Sequence, residues 1–349
     1  MLQGKSYPIA VLNTQWRATD AKAKRVKKNL FYLALIEILF AISSSANAQQ
    51  AKVYRIGIIT SGGARYATID GLRVGLRELG LEERKQFSLT IRDTKGDMKA
   101  AEEAAKNFEQ ERADLIYTIA TSVTIAAKRA TTGIPIVFSA GTDPVVLGLV
   151  DSFAHPGGRL TGVYEPSTSL NAKRLEILKE ILPKLHRVVT FYDARNPVAI
   201  ESSNLAREAA RLSGIELVER HVTSVEELQA GVRALRTGEV DAVFEVSDPL
   251  VNNQDQLIID SARAKRLPTM FSFQSSAVKG GLASYSVSFY EVGRLSAKYV
   301  QRILTGVSPK ELPVQGIDKI ELVVNLKTAK QIGVTIPSTV LARADKVIK

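Results

Sequence analysis

The chain has 349 residues, 45% of them apolar, and a mean hydropathy near zero, an ordinary globular balance with room for two domains. Cysteine is absent, which excludes disulfides, thiolate metal sites and a cysteine nucleophile. The formal charge of +11 invites a nucleic-acid reading, but seven basic and two acidic residues fall within the first 48.

Residues 22–28 read KAKRVKK and lead into LFYLALIEILFAI and then SSSANA. A basic start, a short apolar run and a small-residue A-x-A site make a secretory signal peptide. Glu37 interrupts a run already short for a membrane span. Cleavage is expected after Ala48, with Val26 an alternative start that would leave residues 1–25 untranslated. The remaining chain holds 40 basic and 34 acidic residues, a net +6. These charges are interspersed on helices, which describes solvated faces rather than a nucleic-acid surface. The three histidines, His155, His186 and His221, read as turn or surface residues, so neither a metal nor a cofactor is expected.

From residue 53 onward, short apolar strands alternate with amphipathic helices. VYRIGIIT (53–60) predicts a strand, and ATIDGLRVGLRELG (67–80) a helix closed by Gly80. FSLTIRDT (87–94) is a strand and MKAAEEAAKNFEQERA (98–113) a helix. LIYTIA (115–120) and IPIVFSA (134–140) are strands separated by the helix TSVTIAAKRA. Near-continuous apolar strands alternating with helices indicate a parallel sheet covered on both faces, a doubly wound α/β arrangement.

The pattern then repeats. RVVTFYD (187–193), AREAARLSG (206–214), VDAVFEVSD (240–248) and LPTMFSF (267–273) match the first series in position. Arg55 to Arg187 is 132 residues, Asp114 to Asp241 is 127 and Pro135 to Pro268 is 133. Matched landmarks at near-constant spacing predict two Rossmann-like lobes of one topology. The chain is expected to cross between them near residues 161–169, 284–289 and 309–316. That assigns 52–164 plus 286–312 to lobe one and 165–285 plus 313–349 to lobe two, joined by a three-segment hinge. Ligands of open α/β sheets bind outside the carboxyl ends of the strands, so the site belongs in the cleft.

Within FSAGTDPVVLGLVDSFAHPGGRLTGV (138–163), Ser139, Ala140, Gly141 and Thr142 end a buried strand, and Asp143-Pro144 carries the signature of a helix start. Hydroxyls, backbone N–H groups and a helix N-terminus together suit a carboxylate. Pro156, Gly157 and Gly158 fit either a helix stop or a turn into the hinge.

These residues carry a resemblance. The segment from Ile134 to Val163, LNAKRLEILKEILP after it, RLPTMFSF, KIELVVNLKTAKQIGVTIP and VLARADKVI are similar to the ABC transporter substrate-binding protein family. The likeness runs from about Tyr54 to Ile348, with His155 and Arg159 where the family more often has Arg and Asn. The resemblance implies the type I periplasmic-binding-protein fold. It also implies a monomeric periplasmic receptor for a small molecule, an amino acid and notably an aromatic one, serving an ABC permease in the inner membrane. Carried over by position, the ligand would meet Ser61, Thr121, Ser122 and Ser139 to Asp143 on lobe one. On lobe two it would meet Tyr192, Asn196, Asp248, Phe271 and Ser272. Ser122 equally reads as a helix N-cap. Asp248 is expected to hold a ligand ammonium, with helix capping through Asp248-Pro249 as the other reading. Tyr192, Phe271 and Phe273 could form an aromatic wall, although aromatics on strands are more often core. No catalytic constellation or dinucleotide fingerprint is present, so an enzyme is not expected. A transcription regulator of this fold would need an N-terminal helix-turn-helix where this chain has a signal peptide. A sensory receptor remains the alternative to a transport receptor.

Overall fold

The computed structural model describes residues 52–236 and 238–349, so the expected signal peptide lies outside the described residues. The first sheet has six strands in the order β11-β5-β4-β3-β1-β2, all parallel. Its centre is β1 (Tyr54–Thr60), β3 (Leu115–Ile119) and β4 (Ile136–Ala140), flanked by β2 (Phe87–Asp93), β5 (Leu160–Tyr164) and the short edge strand β11 (Gln315–Gly316). Every residue of β3 and β4 is buried, as the unbroken apolar runs require when helices cover both faces.

The second sheet has seven strands in the order β13-β12-β10-β9-β8-β6-β7. Its strands are β6 (Arg187–Tyr192), β7 (Glu216–His221), β8 (Ala242–Phe244), β9 (Thr269–Phe271), β10 (Ala283–Val287), β12 (Ile320–Asn325) and β13 (Lys346–Ile348). One pairing, β10 with β12, is antiparallel. β12 enters from the hinge rather than from a covering helix, which frees it from the parallel crossover rule. Both sheets otherwise match the doubly wound expectation.

The helices follow their local signals. α1 (Tyr66–Glu78) and α2 (Met98–Gln110) lie in the first lobe. α2 starts where Asp97 accepts hydrogen bonds from the Lys99 and Ala100 amides, satisfying two of the donors that a helix start leaves unpaired. α3 (Thr121–Ala130) follows β3, α4 (Asn171–Ile181) opens the second lobe, and α5 (Pro197–Leu212) follows β6. α6 (Val225–Ala234), α7 (Pro249–Asn252), α8 (Asp255–Ala264) and α9 (Gln274–Lys279) continue that lobe, and α10 (Phe289–Leu304) returns to the first. Among the described residues, no helix is long and apolar enough to cross a membrane.

Three crossings join the lobes, after Tyr164, after Val287 and after Gly316. The last two fall within the expected crossing segments, 284–289 and 309–316, but past the lobe boundaries drawn at 285 and 312. Ser286 and Val287 pair within the second sheet, and Gln315 and Gly316 within the first. The Thr161 hydroxyl donates to the Leu312 carbonyl at 2.6 Å, and the Val314 amide donates to Phe153 at 2.7 Å. These long-range ties hold residues 312–316 to lobe one, and no local pattern announces them. Arg174, fully buried, ties the first crossing to β10 by donating to the Ser167 and Tyr285 carbonyls, each at 2.8 Å.

Candidate functional site

The carboxyl ends of both sheets face one cleft. Its inner part is a cavity of about 10 Å³, roughly the room of one water. On lobe one it is lined by Arg65, Thr121, Ser122, Gly141 and Thr142, and on lobe two by Val198, Ser247 and Pro249. Nearer the rim the cleft widens to about 550 Å³ between Lys95–Lys99 and the Asp193, Asn196 and Asp248 side. Ala120, which also lines the inner cavity, has φ of 111°. A non-glycine residue held there costs on the order of 1–3 kcal/mol, and such strain concentrates at functional sites.

The strand-end turn of lobe one departs from expectation. No helix follows Asp143: residues 144–148 form turns, although the Asp143 carboxylate accepts from the Val145 and Val146 amides at 2.8 and 3.2 Å. The sequence signal for a cap was therefore met without a helix to cap. The Gly141 and Thr142 amides, expected to face an anion, donate to the Thr121 hydroxyl oxygen at 2.8 and 3.1 Å. Ser122 lies inside α3, whose N-cap is Ala120 with no side-chain cap, and it lines the cavity instead. Ala140 is buried in the core of lobe one. The Thr142 hydroxyl is buried without a hydrogen-bond partner among the described residues.

On lobe two, Tyr192 and Phe271 belong to the hydrophobic cores. The Tyr192 hydroxyl points along the sheet to Glu219 and His221, at 3.0 and 2.9 Å, so neither ring walls the cavity. Ser272 donates both its amide and its hydroxyl to buried Glu245, at 2.8 and 2.7 Å. Asn196 caps α5 by accepting from the Val198 amide at 3.1 Å and lines the outer cleft. Asp248 caps the short helix α7 (Pro249–Asn252), accepting from Leu250 at 2.8 Å, and its second oxygen accepts from the Asp193 amide at 2.6 Å. Burial pushes its carboxyl up to about 6. These backbone donors account for the carboxylate without a ligand ammonium. Ser61 contributes its carbonyl, which accepts from the Asn253 side-chain amide across the cleft at 2.7 Å.

The sequence reading passed over three residues. Arg65 ends the short 3-10 turn Gly63–Arg65 after β1, and its guanidinium lies 3.1 Å from Glu165. Glu165, at the start of the first crossing, is wholly buried. Burial pushes its carboxyl above the usual range, while Arg65 and Ser139 pull it back. On its other side the guanidinium carbon sits 5.2 and 5.3 Å from the ring centres of Phe273 and Phe289. Those rings stack at 4.8 Å. A basic residue in a glycine-rich turn directly after the first strand was the available signal.

Two open α/β lobes joined by three crossings, with polar groups gathered where the strand ends face each other, define a two-lobed small-molecule-binding protein of the type I periplasmic fold. Residues 54–348 match the family model described as ABC transporter substrate binding protein, and the chain belongs to that family. It is a solute-binding protein, not an enzyme. A protein named tyrosine-binding protein from Clostridioides difficile (strain R20291) is 26% identical over 260 residues, 74% of each chain. A Streptococcus pneumonia ABC domain solved in complex with L-Trp is 25% identical, with a TM-score of 0.77 over 85% of this chain and all of that one. The ligand-free, open structure of a substrate binding protein with adhesive properties from Clostridium difficile is 26% identical, with a TM-score of 0.59 over the same shares.

Proposed function

We propose that this chain is the receptor of an ABC importer, which takes an aromatic amino acid between its lobes and delivers it to an inner-membrane permease. The observation that carries the reading is the cavity at the facing strand ends, where one guanidinium, Arg65, projects among small hydroxyl-bearing residues. A zwitterion needs a charged anchor and hydroxyl partners, whereas a neutral polyol needs neither a cation nor a stacked aromatic pair beneath it. The relatives named for tyrosine and solved with L-Trp support the aromatic class. At nearly equal identity the chain superposes better on the L-Trp complex than on the open form, which supports a closed arrangement here. A ligand the size of tyrosine would enter by rotation of the lobes about the three crossings. On this reading the chain is exported, cut after Ala48, and works as a periplasmic monomer.

A thermal-denaturation screen of the chain from Gln49, run against the amino acids, sugars and inositols, tests the ligand class. L-Tyrosine or L-tryptophan at 100 times its dissociation constant should add about 2.7 kcal/mol of stability. Stabilisation by sugars or inositols, with none by any amino acid, would overturn the reading.

A further inference from the structure

We propose that Arg65 is the residue that reads the ligand's carboxylate, with Glu165, Phe273 and Phe289 holding its guanidinium in place. The inference rests on the amino-acid reading above and assigns the charge recognition within it. Three observations converge. First, the amides of Gly141 and Thr142 in the strand-end turn are engaged by Thr121, and no helix begins at Asp143. Among the residues lining this cavity, Arg65 is the one that carries a charge.

Second, the Arg65 side chain is held by the protein's own contacts in this arrangement. It is 6% exposed, one nitrogen is fixed by Glu165 at 3.1 Å, and the guanidinium plane is supported by two aromatic faces. An arginine carries five N–H donors in a rigid fork, and only one of its nitrogens is engaged by Glu165. Holding the fork by protein contacts lowers the ordering cost of forming a two-pronged carboxylate contact. Third, Thr142, which shares the cavity, keeps a buried hydroxyl without a partner among the described residues. A hydroxyl left bare in a buried site costs free energy until something bonds to it.

The placement also joins recognition to closure. Arg65 rises from lobe one, its ion-pair partner stands on the first crossing, and its aromatic support comes from Phe273 of lobe two and Phe289 just past the second crossing. A carboxylate seated on Arg65 therefore meets a group whose supports come from both lobes and the hinge.

Calorimetric titration with L-tyrosine and with tyramine, which lacks the carboxylate, separates the possibilities. Wild type should prefer L-tyrosine by about 30-fold or more, and Arg65→Gln should remove most of that preference by weakening L-tyrosine while changing tyramine less than about threefold. Glu165→Gln, which frees the guanidinium without deleting it, should weaken L-tyrosine by about tenfold and keep part of the preference. If Arg65→Gln fails to fold because Glu165 is left buried and unpaired, Arg65→Lys decides: it keeps the charge and loses the fork, so the preference should fall without vanishing. Equal losses for both ligands, or an unchanged preference, would overturn the assignment. Wild type that binds tyramine as well as L-tyrosine would overturn it while leaving the receptor reading intact, and wild type that binds neither would overturn both.

Discussion

Asp248 shows how one carboxylate can satisfy two signals at once. Its side chain caps α7 through Leu250 and also receives the Asp193 amide. Asparagine can still cap, but with its carbonyl oxygen on Leu250 it would turn an NH2 group towards the Asp193 N–H. Leaving that donor unsatisfied costs on the order of 1–3 kcal/mol. The pH dependence has a definite sign. Burial raises the folded-state carboxyl to about 6, so the folded chain binds more protons than the unfolded one between roughly pH 4 and 6. Its contribution is complete below pH 4 and falls as the pH rises through 6. The stability deficit of Asp248→Asn should therefore be larger at pH 4 than at pH 7 in thermal denaturation. A pH-independent deficit would contradict the raised pKa, and no deficit would contradict the Asp193 contact. The Asp-Pro pair made the cap legible in the sequence. The second contact was not, because Asp193 lies on a different strand end, 55 residues away.

At the scale of elements, the alternation of apolar strands and amphipathic helices was enough to place β1 to β4 and the helices between them. It failed where the decisive contact is distant. Asp143-Pro144 has the composition of a helix start, yet Thr121 ties down the preceding amides and the chain makes turns. The packing of α1 against α10 (Phe289–Leu304) was equally hidden. A Cβ on Gly71 would stand 1.9 Å from the Tyr290 carbonyl oxygen, and one on Gly293 would stand 1.9 Å from that of Thr68. The two backbones touch, so each glycine is required by a helix 222 residues away in sequence. Gly293→Ala removes an unfavourable helix glycine, which would stabilise an exposed helix by about 1 kcal/mol. Here it must push the helices apart, and overpacking of this kind costs about 1–3 kcal/mol or more. Urea denaturation should show a net loss of stability, and a gain would contradict the close approach.

For the whole molecule, the repeat at near-constant spacing made the two lobes legible, and the crossing positions only approximately so. What no single-lobe pattern could show is how the lobes meet. Asn253 of lobe two donates to the Ser61 carbonyl, and a Cβ on Gly63 would lie 2.4 Å from the Asn253 side-chain oxygen. Gly63 also has φ of 62°, a conformation that an L side chain adopts only with strain. Gly63→Ala should disfavour the closed state and weaken ligand binding by about tenfold, or 1.4 kcal/mol. Small-angle scattering should show a larger radius for the variant than for wild type. Unchanged affinity and radius would contradict the contact as a closure element.

If the cleft encloses an aromatic amino acid, as proposed, the sequence supplies a direct probe of it. The only tryptophan is Trp16, so the chain from Gln49 onward is silent in the indole window and any such emission belongs to added L-tryptophan. Titration of L-tryptophan with that chain should shift its emission to the blue as the indole leaves water, and excess L-tyrosine should reverse the shift by competition. Emission that stays at its free value throughout, while ribose or an inositol raises the melting temperature of the same preparation, would contradict the account.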